Sequence, residues 1–188
     1  MILVHTDALL TLAEVSATFA GFAALVTLFA RRRLEGAATH DLLRLRLVIG
    51  LSIVAVMASL VPVAIAGFGL PETMTWQFSA AIFLMLTYFV FGSFIASYST
   101  AKTTFPPDKL AVFVAVVLEI LIQLALILVL FGIIEAQSYG LYVSALISTI
   151  GQAAFVFLRL ISSTFSTIVY NTELTRVSPK QREPFQSS

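Results

Sequence analysis

Five apolar stretches, each about 20 residues or longer, dominate this chain, at 8 to 30, 45 to 69, 76 to 98, 110 to 134 and 141 to 163. As helices rising ~1.5 Å per residue, each reaches across the ~30 Å hydrocarbon core of a bilayer. Hydrocarbon offers no water to the backbone, so a separate span must satisfy its N–H and C=O groups internally, which a helix does. The sequence therefore predicts an all-α polytopic bundle of five transmembrane helices. Connections of about 5 to 14 residues leave no room for a soluble domain between them. Residues 1–163 form the five-helix domain, and 164–188 a polar extension, helical through Tyr170 to Thr175 and then disordered around Pro179 and Pro184.

Composition agrees. Hydrophobic residues make up 59% of the chain and charged ones only 11%, against roughly 45–50% apolar in soluble domains. A water-facing shell cannot be built from so few charges, so the lipid bilayer is the first expected partner. The net charge of +1 and the short, scattered basic clusters exclude a nucleic-acid partner. With no cysteine, disulfides, thiolate metal sites and cysteine nucleophiles are excluded too.

The basic residues give an orientation. Arg31, Arg32, Arg33, Arg44 and Arg46 surround the first connection, Lys102 and Lys109 the third, and Arg159, Arg176, Lys180 and Arg182 the end of the last segment; the second and fourth connections have neither Lys nor Arg. By the positive-inside rule the N-terminus is outside and the C-terminus inside. No basic residue precedes the first apolar run, so that run reads as an uncleaved anchor. His5 and His40 then lie on opposite sides, so they share no metal ion. No Ser/His/Asp grouping, phosphate loop or HExxH motif occurs, and the expectation is a protein that is not an enzyme and carries no cofactor or metal.

Gly69 with Pro71 suits a helix stop, Pro106 and Pro107 before Asp108 a helix start, and Trp76, Tyr139 and Tyr142 an outer aromatic belt. Pro62 removes a backbone donor inside the second span, where it is either a tolerated kink or a hinge. In the first span Ala13, Ala17, Ala20, Gly21 and Ala24 share a helical face, the small-residue surface that lets backbones approach in lipid, within one chain or between copies. Ser52, Ala55, Ser59 and Ala66 repeat the theme in the second span. The aromatics of the third, including Phe78, Phe83, Tyr88 and Phe89, encircle the helix and suit lipid contact or packing.

The chemistry-bearing residues are polar groups at depth. Ser148, Gln152 and Arg159 fall on one seam of the fifth span, and Glu119 and Gln123 on one face of the fourth. A charge at mid-bilayer costs roughly 2.5–3.5 kcal/mol on insertion scales, so these faces should meet protein or water. Glu119 stands out, since a carboxylate there must pair, take a proton or bind a cation. Arg159, about 6 Å from the inner end of its span, either snorkels to the headgroups or reaches toward Glu119 as a counter-charge. Glu14, in the outer half of the first span, extends a pathway outward or bonds to a neighbouring helix.

The run Ala13-Glu14-Val15-Ser16 followed by Phe19-Ala20-Gly21-Phe22 resembles the opening of small, uncharacterised bacterial membrane proteins whose first span is acidic and rich in small residues. The resemblance implies a multi-pass protein of the bacterial inner (plasma) membrane and carries no activity or site residues. The residues themselves support two functions. One is an oligomeric channel or transporter-like protein for protons or cations, with Glu119, Gln123, Gln152 and Arg159 on its pathway and a homo-oligomer as the assembly. The other is a non-transporting accessory or scaffold subunit whose polar residues grip another membrane subunit.

Overall fold

The computed structural model describes residues 6–31, 39–100 and 109–177. His5, Arg32, Arg33, Lys102, Pro106, Pro107, Asp108 and the extension beyond Val177 lie outside the described residues. The described residues are all-α: α1 (Thr6–Arg31), α2 (Thr39–Ala66), α3 (Glu72–Thr100), α4 (Lys109–Leu130) and α5 (Ser138–Val177), with a 3-10 turn at Glu135–Gln137. All five are long and apolar enough to span a membrane, over Thr6–Val26, Leu45–Ala66, Glu72–Ala96, Phe113–Leu130 and Glu135–Arg159. The backbone of α5 continues as helix past its span to Val177, so the expected helical start of the extension is part of α5.

Helices α2, α3, α4 and α5 form a ring in which each packs on the next and α5 closes back on α2, while α1 lies outside, against α2 and more lightly against α5. Small residues set the closest part of this packing. Ala55 and Ala58 of α2 and Ala145 of α5 are fully or almost fully buried in the main core, beside Val54, Phe83 and Leu126. In lipid such close approach supplies the dispersion contacts that hydrophobic exclusion cannot. Of the buried hydroxyls, Ser16, Ser59, Ser79, Thr87 and Thr149 each donate to the carbonyl four residues earlier on their own helix, while Ser52 Oγ has no partner.

Pro62 sits inside α2 without ending it. Having no N–H, it leaves the Ala58 carbonyl, its partner four residues back, without its usual intrahelical donor. That carbonyl is where the Tyr142 hydroxyl of α5 donates, at 2.6 Å. Tyr142 is 0% exposed and its ring packs edge-on or tilted against Phe83 and Trp76, with centroids 5.6 and 5.5 Å away. Trp76, 3% exposed, also meets Tyr139 at 5.6 Å. Trp76 and Tyr142 of the expected outer belt are thus packed against neighbouring helices, and Tyr142 reaches the carbonyl that the proline leaves open.

The turns follow local chemistry. Gly69 ends α2 at φ 71° and Gly132 ends α4 at φ 63°, the left-handed conformation that favours glycine. After α4 the Ile133 N–H donates to the Leu128 carbonyl and the Gly132 N–H to that of Val129, a Schellman closure. A Cβ at Gly132 would also meet Gln77 Nε2 at 3.0 Å.

Tyr142→Phe is expected to lower unfolding stability in detergent or bicelles by about 1–2 kcal/mol, since it orphans a buried carbonyl. In a Pro62→Ala background the new N–H at position 62 serves that carbonyl, and the same change should cost clearly less. Equal costs in both backgrounds, measured by a double-mutant cycle, would sever the proposed link between proline and tyrosine.

Candidate functional site

The polar faces of α4 and α5 meet. On α4 the Gln123 Nε2 donates to Glu119 Oε1 at 2.7 Å, one helical turn apart. From α5, the Gln152 Nε2 donates across the contact to the Ala115 carbonyl at 3.2 Å, and the same amide stands against the Glu119 carboxyl. Gln152 is only 1% exposed, while Glu119 and Gln123 are half-buried at the edge of the α4–α5 contact. On α4, Ile122, Leu126 and Val129 turn into the core, and Val116, Ile120 and Leu124 turn out. Glu119 and Gln123 fall between these faces, so helix geometry alone places them beside α5.

The hydrogen-bond account of this cluster does not close. Glu119 Oε2, Gln123 Oε1 and Gln152 Oε1 are buried and have no partner, and all of them are acceptors. Buried acceptors normally find a donor, because leaving one bare costs about 1–3 kcal/mol. A proton on Glu119 Oε2 settles that oxygen and one amide oxygen, and one small cation can be held by all three. An additional apolar contact supplies neither.

The other anticipated residues are distributed differently. Ser148 is half-buried and its hydroxyl donates to the Ser144 carbonyl, 2.8 Å away on its own helix. Arg159 is half-buried nearly two turns further along α5, and the side chains at the Glu119 carboxyl are those of Gln123 and Gln152. Glu14 is exposed on α1. The buried face of that helix carries Leu9, Ala13, Ser16 and Ala23; at 100° per residue Glu14, Thr18, Gly21 and Leu25 point the opposite way. Of the anticipated packing face, Ala13 is buried and Ala20 half-buried, while Ala17, Gly21 and Ala24 are exposed, with nothing within 4 Å of a Cβ built at Gly21. Within the chain α1 therefore packs through a different stripe. The reason is Leu9 and Phe19, which join the cores formed with α2 and turn the small face outward.

Two contributors were not among the anticipated site residues. Ala115, which angular spacing places on the face of Glu119 and Gln123, takes part through its carbonyl, which side-chain chemistry does not mark. Tyr142 supplies the other bond between helices, and its signal was the unpaired carbonyl implied by Pro62. No protein-family profile, curated protein or solved structure matches the chain.

Glu119→Gln places an amide where the unpartnered Oε2 stands and supplies a donor to the cluster. Its thermal unfolding temperature should equal or exceed that of the parent, whereas Glu119→Leu should fall below it by an amount equivalent to about 1 kcal/mol, having stripped Gln123 of its acceptor. A large loss in Glu119→Gln, with Glu119→Leu unaffected, would contradict this reading.

Proposed function

We propose that this protein is a small multi-pass membrane channel or transporter-like protein for protons or cations, with Glu119 as its titratable or cation-contacting group. The observation that carries the reading is the trio of buried, unpartnered oxygens on Glu119, Gln123 and Gln152. A site with a surplus of acceptors accepts positive charge. It lies about 13 Å along α4 from Leu110, where the apolar stretch begins, too deep for simple headgroup contact. The sequence's basic clusters support an N-outside, C-inside orientation, and the likeness of the first span to bacterial proteins supports an inner-membrane location.

The working unit on this reading is a homo-oligomer whose copies meet through α1. Glu14 lies about 9 Å inside the outer end of the first apolar stretch, on the face turned away from its own bundle. Ionisable side chains in spans rarely face lipid, and Ala17 and Gly21 beside it let a second backbone come near. Because the chain has no cysteine, a single cysteine at Ala17 reports this directly. It should form a disulfide dimer in native membranes, and one at Val54 in the buried core should not.

An accessory or scaffold role is the second reading, and one observation favours it: Gln152 is sealed between α4 and α5 and bonded to backbone, as interhelical glue would be. Flux separates the two. In liposomes under a pH gradient or voltage, proton or cation flux should be present in the parent and fall at least tenfold in Glu119→Gln, with Gln152→Leu reduced less. Flux that is absent in a folded, assembled parent would favour the accessory reading.

A further inference from the structure

Independently of the α4–α5 cluster, the outer face of the α2–α3 contact carries a groove of about 120 Å³. Its walls are Arg46 and Gly50 of α2 with Phe89, Val90, Ser93 and Phe94 of α3. Gly50 makes the groove possible. The helices approach so closely there that a Cβ on Gly50 would lie 3.0 Å from a Val90 methyl, and the missing side chain leaves a hollow beside the contact. Compact solutes occupy pockets of roughly 300–1,000 Å³, so this groove takes a portion of an elongated molecule.

The lining is sorted by depth. Arg46 is at the beginning of the span Leu45–Ala66, and Ser93 and Phe94 are in the last turn of Glu72–Ala96. These antiparallel helix ends put a guanidinium and a hydroxyl at one edge of the hydrocarbon. Gly50, Val90 and Phe89 lie one to two turns deeper, about 7–10 Å in, and the Phe89 ring is 74% exposed to the surrounding acyl chains. A cation at the headgroup level above an apolar trough is complementary to one class of molecule, an amphiphile with a phosphate directly above its hydrocarbon. Arg46 is exposed, and a guanidinium offers five N–H donors in a fork that matches phosphate oxygens. The neighbouring Arg31, Arg32, Arg33 and Arg44 in the sequence add attraction for anionic lipid at the same end.

We infer that this groove is a binding site for a glycerophospholipid, its phosphate held by Arg46 and the upper part of one acyl chain laid over Gly50, Val90 and Phe89. Delipidated protein in mild detergent is titrated with dioleoyl phosphatidylglycerol, and bound lipid per chain is counted by native mass spectrometry. The parent and Arg46→Lys, which keeps the charge, should retain lipid, and Arg46→Gln should bind five- to tenfold more weakly. Dioleoylglycerol, which lacks the phosphate, should not be retained, and millimolar inorganic phosphate should not displace the phospholipid. Parent-like retention by Arg46→Gln, equal retention of dioleoylglycerol, or displacement by inorganic phosphate would each overturn the site. A second measurement needs no variant: a nitroxide early in the acyl chain should broaden the Val90 methyl resonances well beyond those of Leu158, which is 65% exposed near the same end of α5. Equal broadening of both would mean unselective solvation by lipid and would also overturn it.

Discussion

Inside a bilayer no backbone polar group can be left to the solvent, and that demand organises this bundle from the Ala58 carbonyl outward. Pro62 withdraws the donor that carbonyl would have had, and Tyr142 of α5 replaces it at 2.6 Å. Everything adjacent follows from holding a tyrosine hydroxyl in that place. Its ring needs aromatic neighbours and finds Trp76 and Phe83 from α3. The close α2–α5 approach needs small residues and finds Ala55, Ala58 and Ala145. One unsatisfied group thus brings three helices into fixed register, where hydrophobic exclusion between lipid-soluble surfaces gives none.

The contrast with the α4–α5 contact is instructive. There, too, side-chain donors reach across or along helices, but donors and acceptors are unequal in number, and oxygens remain bare on Glu119, Gln123 and Gln152. A structural bond such as Tyr142 to Ala58 ends with every group served. The Glu119 cluster ends open, on a helix whose Phe113, Ile120, Leu121 and Leu124 are all more than half exposed. Purely structural glue gains from full satisfaction, so an incomplete set in the same chain is better suited to something that comes and goes.

What the sequence made legible was whatever a single helix decides for itself. Span number, the glycine stop at Gly69 and the shared level of Glu119 and Gln152 followed from length, φ preference and angular spacing. What it hid was the choice among faces. On α1 the small stripe through Ala17 and Gly21 looked like the packing surface, but the larger Leu9 and Phe19 decide which way the helix turns. Trp76 and Tyr142 look like interface anchors by position and type, and only the neighbouring helices reveal them as core. Glu119 is met by amides at its own level, Gln123 on its own helix and Gln152 from α5. For α1, Trp76 and Tyr142 the deciding partner belongs to another helix, and no local pattern encodes it.

Helix α5 has a mechanical consequence of its own. It is one uninterrupted helix of 40 residues, about 60 Å long, and its apolar stretch ends at Ser163. Roughly 21 Å of the same rod therefore continues past that stretch. Helices resist twisting along their length through continuous i to i+4 bonding, so a torque applied to the projecting part is delivered to Gln152 and Tyr142 together. The bond that locks α5 to α2 and the contact that meets Glu119 are on one shaft, and turning that shaft cannot move one without loading the other.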